Sequence, residues 1–188
     1  MIILVLGKPN SGKSEFAEEI ALKTGDPHLY YLATMKVYDK EGQERVQKHR
    51  QKREGKGFFT VEKEYGITDA CKLIPDPANA TVLLECISNL VGNELFENPK
   101  RSGLCTLGYE RIDHAACERF ADEVSDEIKD FAAKVHYLIL VSNSFDQDQE
   151  NYDDQTRLYV KMMDLVNERL AGFADQTYDL RGQSPVDQ

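Results

Sequence analysis

Gly7-Lys8-Pro9-Asn10-Ser11-Gly12-Lys13-Ser14, directly after the apolar run Ile2-Ile3-Leu4-Val5-Leu6, decides the fold class of this chain. A glycine, four residues and then Gly-Lys-Ser is the spacing of a phosphate-binding loop, and the context fits, with a buried strand before it and a helix after it. The glycines let successive backbone N–H groups turn inward around phosphate oxygens, where a Cβ would obstruct. The helix beginning at Lys13 adds the positive end of its dipole. The whole octapeptide, Gly7, Lys8, Pro9, Asn10, Ser11, Gly12, Lys13 and Ser14, is thus a candidate nucleotide site. Lys13 would reach the β- and γ-phosphates as a catalytic cation, and Ser14 would ligate Mg2+.

Outward from the loop, buried strands alternate with helical stretches. The pattern predicts strands at Ile2 to Leu6, Leu29 to Ala33, Phe58 to Val61, Thr81 to Cys86, Tyr137 to Ser142 and Thr177 to Leu180. Helices are predicted at Lys13 to Lys23, Gly42 to Arg53, about Tyr109 to Lys134 and about Gln155 to Ala174. Such alternation implies an α/β fold of P-loop NTPase type, a mostly parallel sheet with helices on both faces. Ligands of these sheets lie beyond the carboxyl ends of the strands. With 188 residues and no composition break, residues 1–188 are expected to form one nucleotide-binding domain.

A P-loop also needs an acidic partner for magnesium at the end of a neighbouring strand. Glu85 ends the run Val82-Leu83-Leu84 and, with Ser14, completes the expected metal set; a carboxylate placed there without a role would be costly to desolvate. Aspartate is the more usual residue at this position.

The net charge of −10 argues against nucleic acid as a partner. Between Lys36 and Lys56, however, eight Lys or Arg face four Asp or Glu, a local balance of +4 that leaves −14 for the rest. A confined anion such as a triphosphate, or a solvated basic helix face, would both explain this island. Within it Arg45, His49 and Arg53 fall at i, i+4 and i+8, one face of a helix. Flanking guanidinium groups would disfavour protonation of the imidazole and leave it a nucleophile for an α-phosphate; a plain basic helix gives the same pattern. The four cysteines, Cys71, Cys86, Cys105 and Cys117, form no CxxC pair and read as ordinary thiols. No apolar run approaches the roughly 20 residues of a membrane span, and the apolar start is too short for a signal peptide, so a cytoplasmic location is expected.

Taken in order, these segments resemble the bifunctional adenosylcobinamide kinase / adenosylcobinamide-phosphate guanylyltransferase family of cobalamin biosynthesis. The resemblance is carried by Gly7 to Ser14, Tyr30-Tyr31-Leu32-Ala33-Thr34-Met35, Arg45-Val46-Gln47-Lys48-His49 with Arg53, and Thr60-Val61-Glu62. It continues through Leu83-Leu84-Glu85-Cys86-Ile87-Ser88-Asn89-Leu90, Val141-Ser142-Asn143 and the tail Val166-Asn167-Glu168-Arg169-Leu170-Ala171. It implies that His49 becomes guanylylated. It also implies that Thr34, Met35, Lys36, Arg50, Gln51, Lys52, Arg53, Glu62 and Glu85 join the P-loop in binding nucleotide. GTP and ATP are then co-substrates, adenosylcobinamide and its phosphate the acceptors, and the assembly a homo-oligomer, typically a trimer. Two departures stand out: Lys8 and Asn10 where the family usually has Gly and Arg, and Asn143-Ser144 where it usually has Asn-Glu, with Asp146 or Asp148 as candidate substitutes for that carboxylate. The residues alone leave two alternatives, a P-loop kinase of another small alcohol and a nucleotide-binding paralogue without turnover.

Overall fold

A computed structural model describes residues 1–37, 40–98, 101, 114–145 and 152–182, except the side chains of Glu41, Arg45, Lys48, His49, Arg50 and Lys52. Its elements in chain order are β1 (Ile2–Gly7), α1 (Lys13–Lys23), β2 (His28–Ala33), α2 (Lys40–Arg53), β3 (Phe58–Glu62), β4 (Ala80–Glu85), α3 (Ile87–Phe96), α4 (His114–Ala132), β5 (Tyr137–Asn143), α5 (Asp154–Phe173) and β6 (Gln176–Asp179). Short 3₁₀ turns at Ile67–Leu73 and Pro77–Asn79 connect β3 to β4.

The strands form one parallel sheet in the order β3-β2-β4-β5-β1-β6. Period-2 alternation divides the core between its two faces. Leu4, Leu32, Val82, Leu84, Leu138 and Leu140 face the cluster built with α3, α4 and α5. Ile3, Val5, Tyr31, Leu83, Ile139 and Val141 face the cluster containing Ala17 and Ala21 of α1. The near-continuous burial of β4, β5 and β1 is what a parallel sheet covered on both faces requires. Along α4, Cys117, Phe120, Ala121, Val124, Ile128 and Phe131 repeat at three- and four-residue steps and bury one stripe.

The predicted strands are all present, with ends shifted by one or two residues. The first residues of the predicted Tyr109-to-Lys134 helix lie outside the described residues. The sequence reading does not contain α3. This helix follows β4 without a turn, starts at Cys86 with no side-chain cap, and buries Ile87, Ser88, Leu90, Val91, Asn93, Glu94 and Leu95. Burial of most of the helix weakens its amphipathic period, and Asn89, Gly92 and Asn93 are weak helix formers. Its C-terminal side is held by Arg101, whose guanidinium reaches Glu94 at 2.6 Å, Glu127 at 2.8 Å and Glu123 at 3.1 Å.

Because β5 lies between β1 and β4, the crossover from β1 to β2 carries α1 over β5 and β4. That route delivers the first turn of α1 to the end of β4. Register places Gly7 beside Asn143, and Ala33 beside both Glu62 and Glu85, along one carboxyl edge. Among the described residues no helix is long and apolar enough to cross a membrane.

Candidate active site

The loop after β1 is shaped by residues that tolerate unusual backbone. Gly12 caps α1 in the left-handed region (φ 78°), and Asn10 also has positive φ (61°), a conformation its short polar side chain accepts. At Gly7 the constraint is space: a Cβ would sit 2.3 Å from Ser11 Oγ. The turn closes through Ser11 N–H donating to the Lys8 carbonyl at 3.2 Å. Lys8, Pro9 and Asn10 are exposed, whereas Ser11 and Lys13 are buried. Ser11 Oγ has no hydrogen-bond partner among the described residues.

Lys13 Nζ donates to the Lys8 carbonyl at 3.1 Å. Burial lowers its pKa from the ordinary lysine range, opposed by the charges of Glu85 and Glu15 among others. Ser14 Oγ donates to Glu85 Oε1 at 2.6 Å, and Tyr31 OH donates to Glu85 Oε2 at 3.0 Å. The Arg53 guanidinium lies 3.3 Å from the Tyr31 ring centroid, a cation over an aromatic face. Arg53 is buried, and its Nη1 has no hydrogen-bond partner among the described residues. Four side chains, Ser14, Glu85, Tyr31 and Arg53, thus run without a gap from the P-loop to the end of the basic helix.

Glu85, Tyr31 and Arg53 border a cavity of about 980 Å³ above the carboxyl ends of β2, β3 and β4, with Ser14 bonded to Glu85 beside it. Met35, Lys36, Arg53, Glu62 and Glu85 line it. Gln51 lies in a neighbouring recess of about 590 Å³, which Arg53 also borders. Thr34 has a structural role, with its hydroxyl donating to the Cys86 carbonyl at 2.8 Å and accepting from Cys86 N–H at 2.9 Å. Asn93 Nδ2 bridges the Thr34 and Glu64 carbonyls at 2.8 and 3.0 Å, fixing the chain that carries Met35 and Lys36. His49, Arg50 and Lys52 belong to α2 by backbone; their side chains, like Asp146 and Asp148, lie outside the described residues.

The sequence reading gives no role to Tyr31, Cys86 or Asn89, which also line the cavity. Tyr31 was detectable in principle, since period 2 puts it on the face that α1 covers. Burial pushes the Cys86 thiol up, so it stays protonated and is a weak nucleophile. Beyond β5, Asn143 Nδ2 donates to Ser88 Oγ at 2.6 Å, and Ser144 N–H donates to the Gly7 carbonyl at 3.1 Å. Position 144 therefore touches the entry to the P-loop, and Ser144 Oγ is buried with no partner among the described residues.

The donors at the loop are a hydroxyl and a carboxylate, hard oxygen ligands suited to Mg2+, which usually takes one or two protein groups and completes its shell with phosphate and water. Ser14 and Glu85, 2.6 Å apart through their oxygens, fit that ion.

Comparison with known proteins agrees with this geometry. An ATPase domain of known structure superposes with a TM-score of 0.53 at 15% identity, covering 95% of this chain and 68% of that one, a likeness of fold. The bifunctional adenosylcobalamin biosynthesis protein CobU of Salmonella typhimurium strain LT2 is 33% identical over 188 residues, 95% of this chain and 94% of that protein. The protein of the same name from Escherichia coli strain K12 is 28% identical over 182 residues, with the same coverage. The family described as CobU, cobinamide kinase / cobinamide phosphate guanyltransferase, matches residues 3–183. A P-loop sheet whose catalytic edge joins a basic helix, matched along nearly its whole length, places this chain in the CobU family.

Proposed function

We propose that this protein acts in cobalamin biosynthesis at two steps, phosphorylating the aminopropanol hydroxyl of adenosylcobinamide and then transferring GMP from GTP to the resulting phosphate. The observation that carries the reading is the unbroken series from Ser14 through Glu85 and Tyr31 to Arg53, which joins the phosphate loop to the basic helix around one cavity.

In the first step the P-loop amides and Lys13 hold the triphosphate of ATP or GTP, and positioning with charge neutralisation supplies most of the catalysis. The acceptor oxygen bonds to the γ-phosphorus, the nucleoside diphosphate leaves, and the hydroxyl proton is released. Ser14 and Glu85 would hold Mg2+, which supplies positive charge against the phosphate oxygens. In the second step an imidazole nitrogen of His49 bonds to the α-phosphorus of GTP and pyrophosphate leaves. An oxygen of adenosylcobinamide phosphate then displaces the histidine. Arg53, with Arg50, Lys52 and Lys36, neutralises the anion, and Gln51, Met35 and Glu62 complete the nucleotide's surroundings, with Thr34 holding the chain behind them through the Cys86 backbone. A homo-oligomer, a trimer by family resemblance, in the cytoplasm belongs to the same reading.

The test uses GTP labelled at the α-phosphate. Wild type should carry acid-labile, base-stable label, and His49→Asn should carry none while still phosphorylating adenosylcobinamide, because an amide cannot form the phosphoramidate. Label persisting in His49→Asn would move the nucleophile elsewhere, and absence of label in wild type would leave a kinase alone.

A further inference from the structure

A second cleft, of about 430 Å³, lies between α3 and the start of α5, outside the nucleotide cavity. Gly92 and Phe96 of α3 form one wall, and Gln155, Thr156 and Tyr159 of α5 the other. We infer that this cleft is the acceptor subsite, receiving a neutral, amide- and hydroxyl-bearing arm of the cobinamide. The inference rests on the functional reading above and deepens it.

Three observations carry it. First, Lys36 and Asn89 line both this cleft and the nucleotide cavity, so the two spaces adjoin. An acceptor seated here would lie beside the donor without entering its site. Second, the chemistry of the described walls suits a neutral ligand better than a second nucleotide. Among the described lining residues, those other than Lys36, Glu97 and Asp153 are neutral. Lys36 and Glu97 pair with each other, and Asp153 is engaged in capping α5 through Thr156 N–H at 2.7 Å. What remains is the rings of Phe96 and Tyr159 with the amides of Asn89 and Gln155 and the Thr156 hydroxyl, the complement of a macrocycle edged by primary amides rather than of a phosphate. Third, the floor is rigidly tied to the P-loop. Tyr159 OH donates to the Ser88 carbonyl at 3.0 Å, and Ser88 Oγ accepts from Asn143, the register partner of Gly7. Tyr159 is further braced edge-on by Phe145 at 5.6 Å between ring centroids. A substrate held against this wall keeps a fixed relation to the phosphates.

Gly92 offers a direct test. A Cβ there would meet Tyr159 Cε2 at 3.6 Å, ordinary contact, so Gly92→Leu fills the cleft without displacing backbone, and leucine is the better helix former. Phe96 is 38% exposed, so Phe96→Ala removes apolar wall with little loss of core. Steady-state phosphorylation of adenosylcobinamide should show KM for the acceptor raised on the order of tenfold in Gly92→Leu and several-fold in Phe96→Ala. KM for the nucleotide and labelling by α-labelled GTP should stay at wild-type values in both. Cobinamide binding, followed calorimetrically, should weaken by the same factors. An unchanged acceptor KM in both variants overturns the assignment while leaving the two-step function intact, and a concurrent change in sedimentation would give the cleft to a subunit contact instead. A wild type that leaves adenosylcobinamide unphosphorylated overturns the functional reading and the cleft with it.

Discussion

Tyr31→Phe isolates the link between the metal carboxylate and the basic helix. The substitution deletes one hydroxyl, which donates to Glu85 Oε2 at 3.0 Å, and keeps the ring on which Arg53 rests. A hydrogen bond to a charged acceptor contributes about 1.5–3 kcal/mol. Glu85 retains Ser14 and borders the cavity, so solvent compensates in part and the lower figure applies. A loss of about 1.5 kcal/mol corresponds to roughly tenfold in an equilibrium constant. The variant should therefore lose about that much stability in urea unfolding. It should also need more Mg2+ to bind a fluorescent GTP analogue, since the Glu85 carboxylate is then fixed by Ser14 on one oxygen and no longer by Tyr31 on the other.

The pH dependence gives an independent check. Burial, then the Glu85 charge, raises the Tyr31 pKa far above the ordinary tyrosine range, so its hydroxyl remains a donor at every working pH. The unfolded chain ionises near pH 10 while the folded one does not, so wild-type stability falls as pH rises past that point. Tyr31→Phe should lack this component of the slope. Tyr31→Leu should do worse than Tyr31→Phe by about 2 kcal/mol, because a buried guanidinium loses its aromatic support. If Tyr31→Phe changes neither stability nor Mg2+ dependence by more than about 0.5 kcal/mol, Tyr31 does not orient Glu85.

Two other predictions use the same contacts. Lys13 has a lowered pKa in the protein alone, so the unfolded chain binds more protons on the alkaline side and stability rises with pH there. Triphosphate should raise that pKa again, so GTP binding on the alkaline side should take up more protons in wild type than in Lys13→Ala, measured calorimetrically in buffers of different ionisation enthalpy; equal uptake in both would refute it. Arg101→Ala strands the buried Glu94 carboxylate, which keeps Gly66 N–H and Asn98 Nδ2 as donors, and should cost about 3 kcal/mol in urea unfolding, with Glu94→Gln restoring part of it.

Much of the fold was legible because its signals are local. Strands buried on both faces read as apolar runs, and the P-loop carries its mechanism in its spacing. The site was legible to the extent that one residue type at one spacing does one job: Ser14, Lys13 and Glu85 meet as such an argument requires. What escaped the sequence depends on three-dimensional neighbours. Tyr31 looks like any aromatic on a buried strand until Arg53, from the end of a separate helix, lies on its ring. Thr34 looks like a ligand group until its hydroxyl is seen bridging the Cys86 backbone. The helix α3 was hidden because most of its residues are buried, which weakens the amphipathic period that marks a helix in sequence.

Ser11→Ala, the last prediction, turns on two effects of opposite sign. Ser11 is 3% exposed and its Oγ has no partner among the described residues, and such a group costs about 1–3 kcal/mol to bury. The hydroxyl also fills the turn against Gly7, where even a Cβ would come within 2.3 Å, so its removal leaves a small void. The net effect on the ligand-free protein should be a gain of about 1 kcal/mol. If the hydroxyl instead finds its partner in the bound phosphates, the same substitution should weaken GTP binding by roughly tenfold. Ser144→Ala should behave likewise, because its orphaned hydroxyl sits where the Ser144 amide meets the Gly7 carbonyl. If both hydroxyls serve one anion, the double variant should depart from additivity in binding but not in stability. Thermal unfolding with and without GTP measures both quantities in one preparation. A Ser11→Ala protein that is less stable without nucleotide, yet binds GTP as wild type does, would make the hydroxyl a packing group and remove it from the phosphate site.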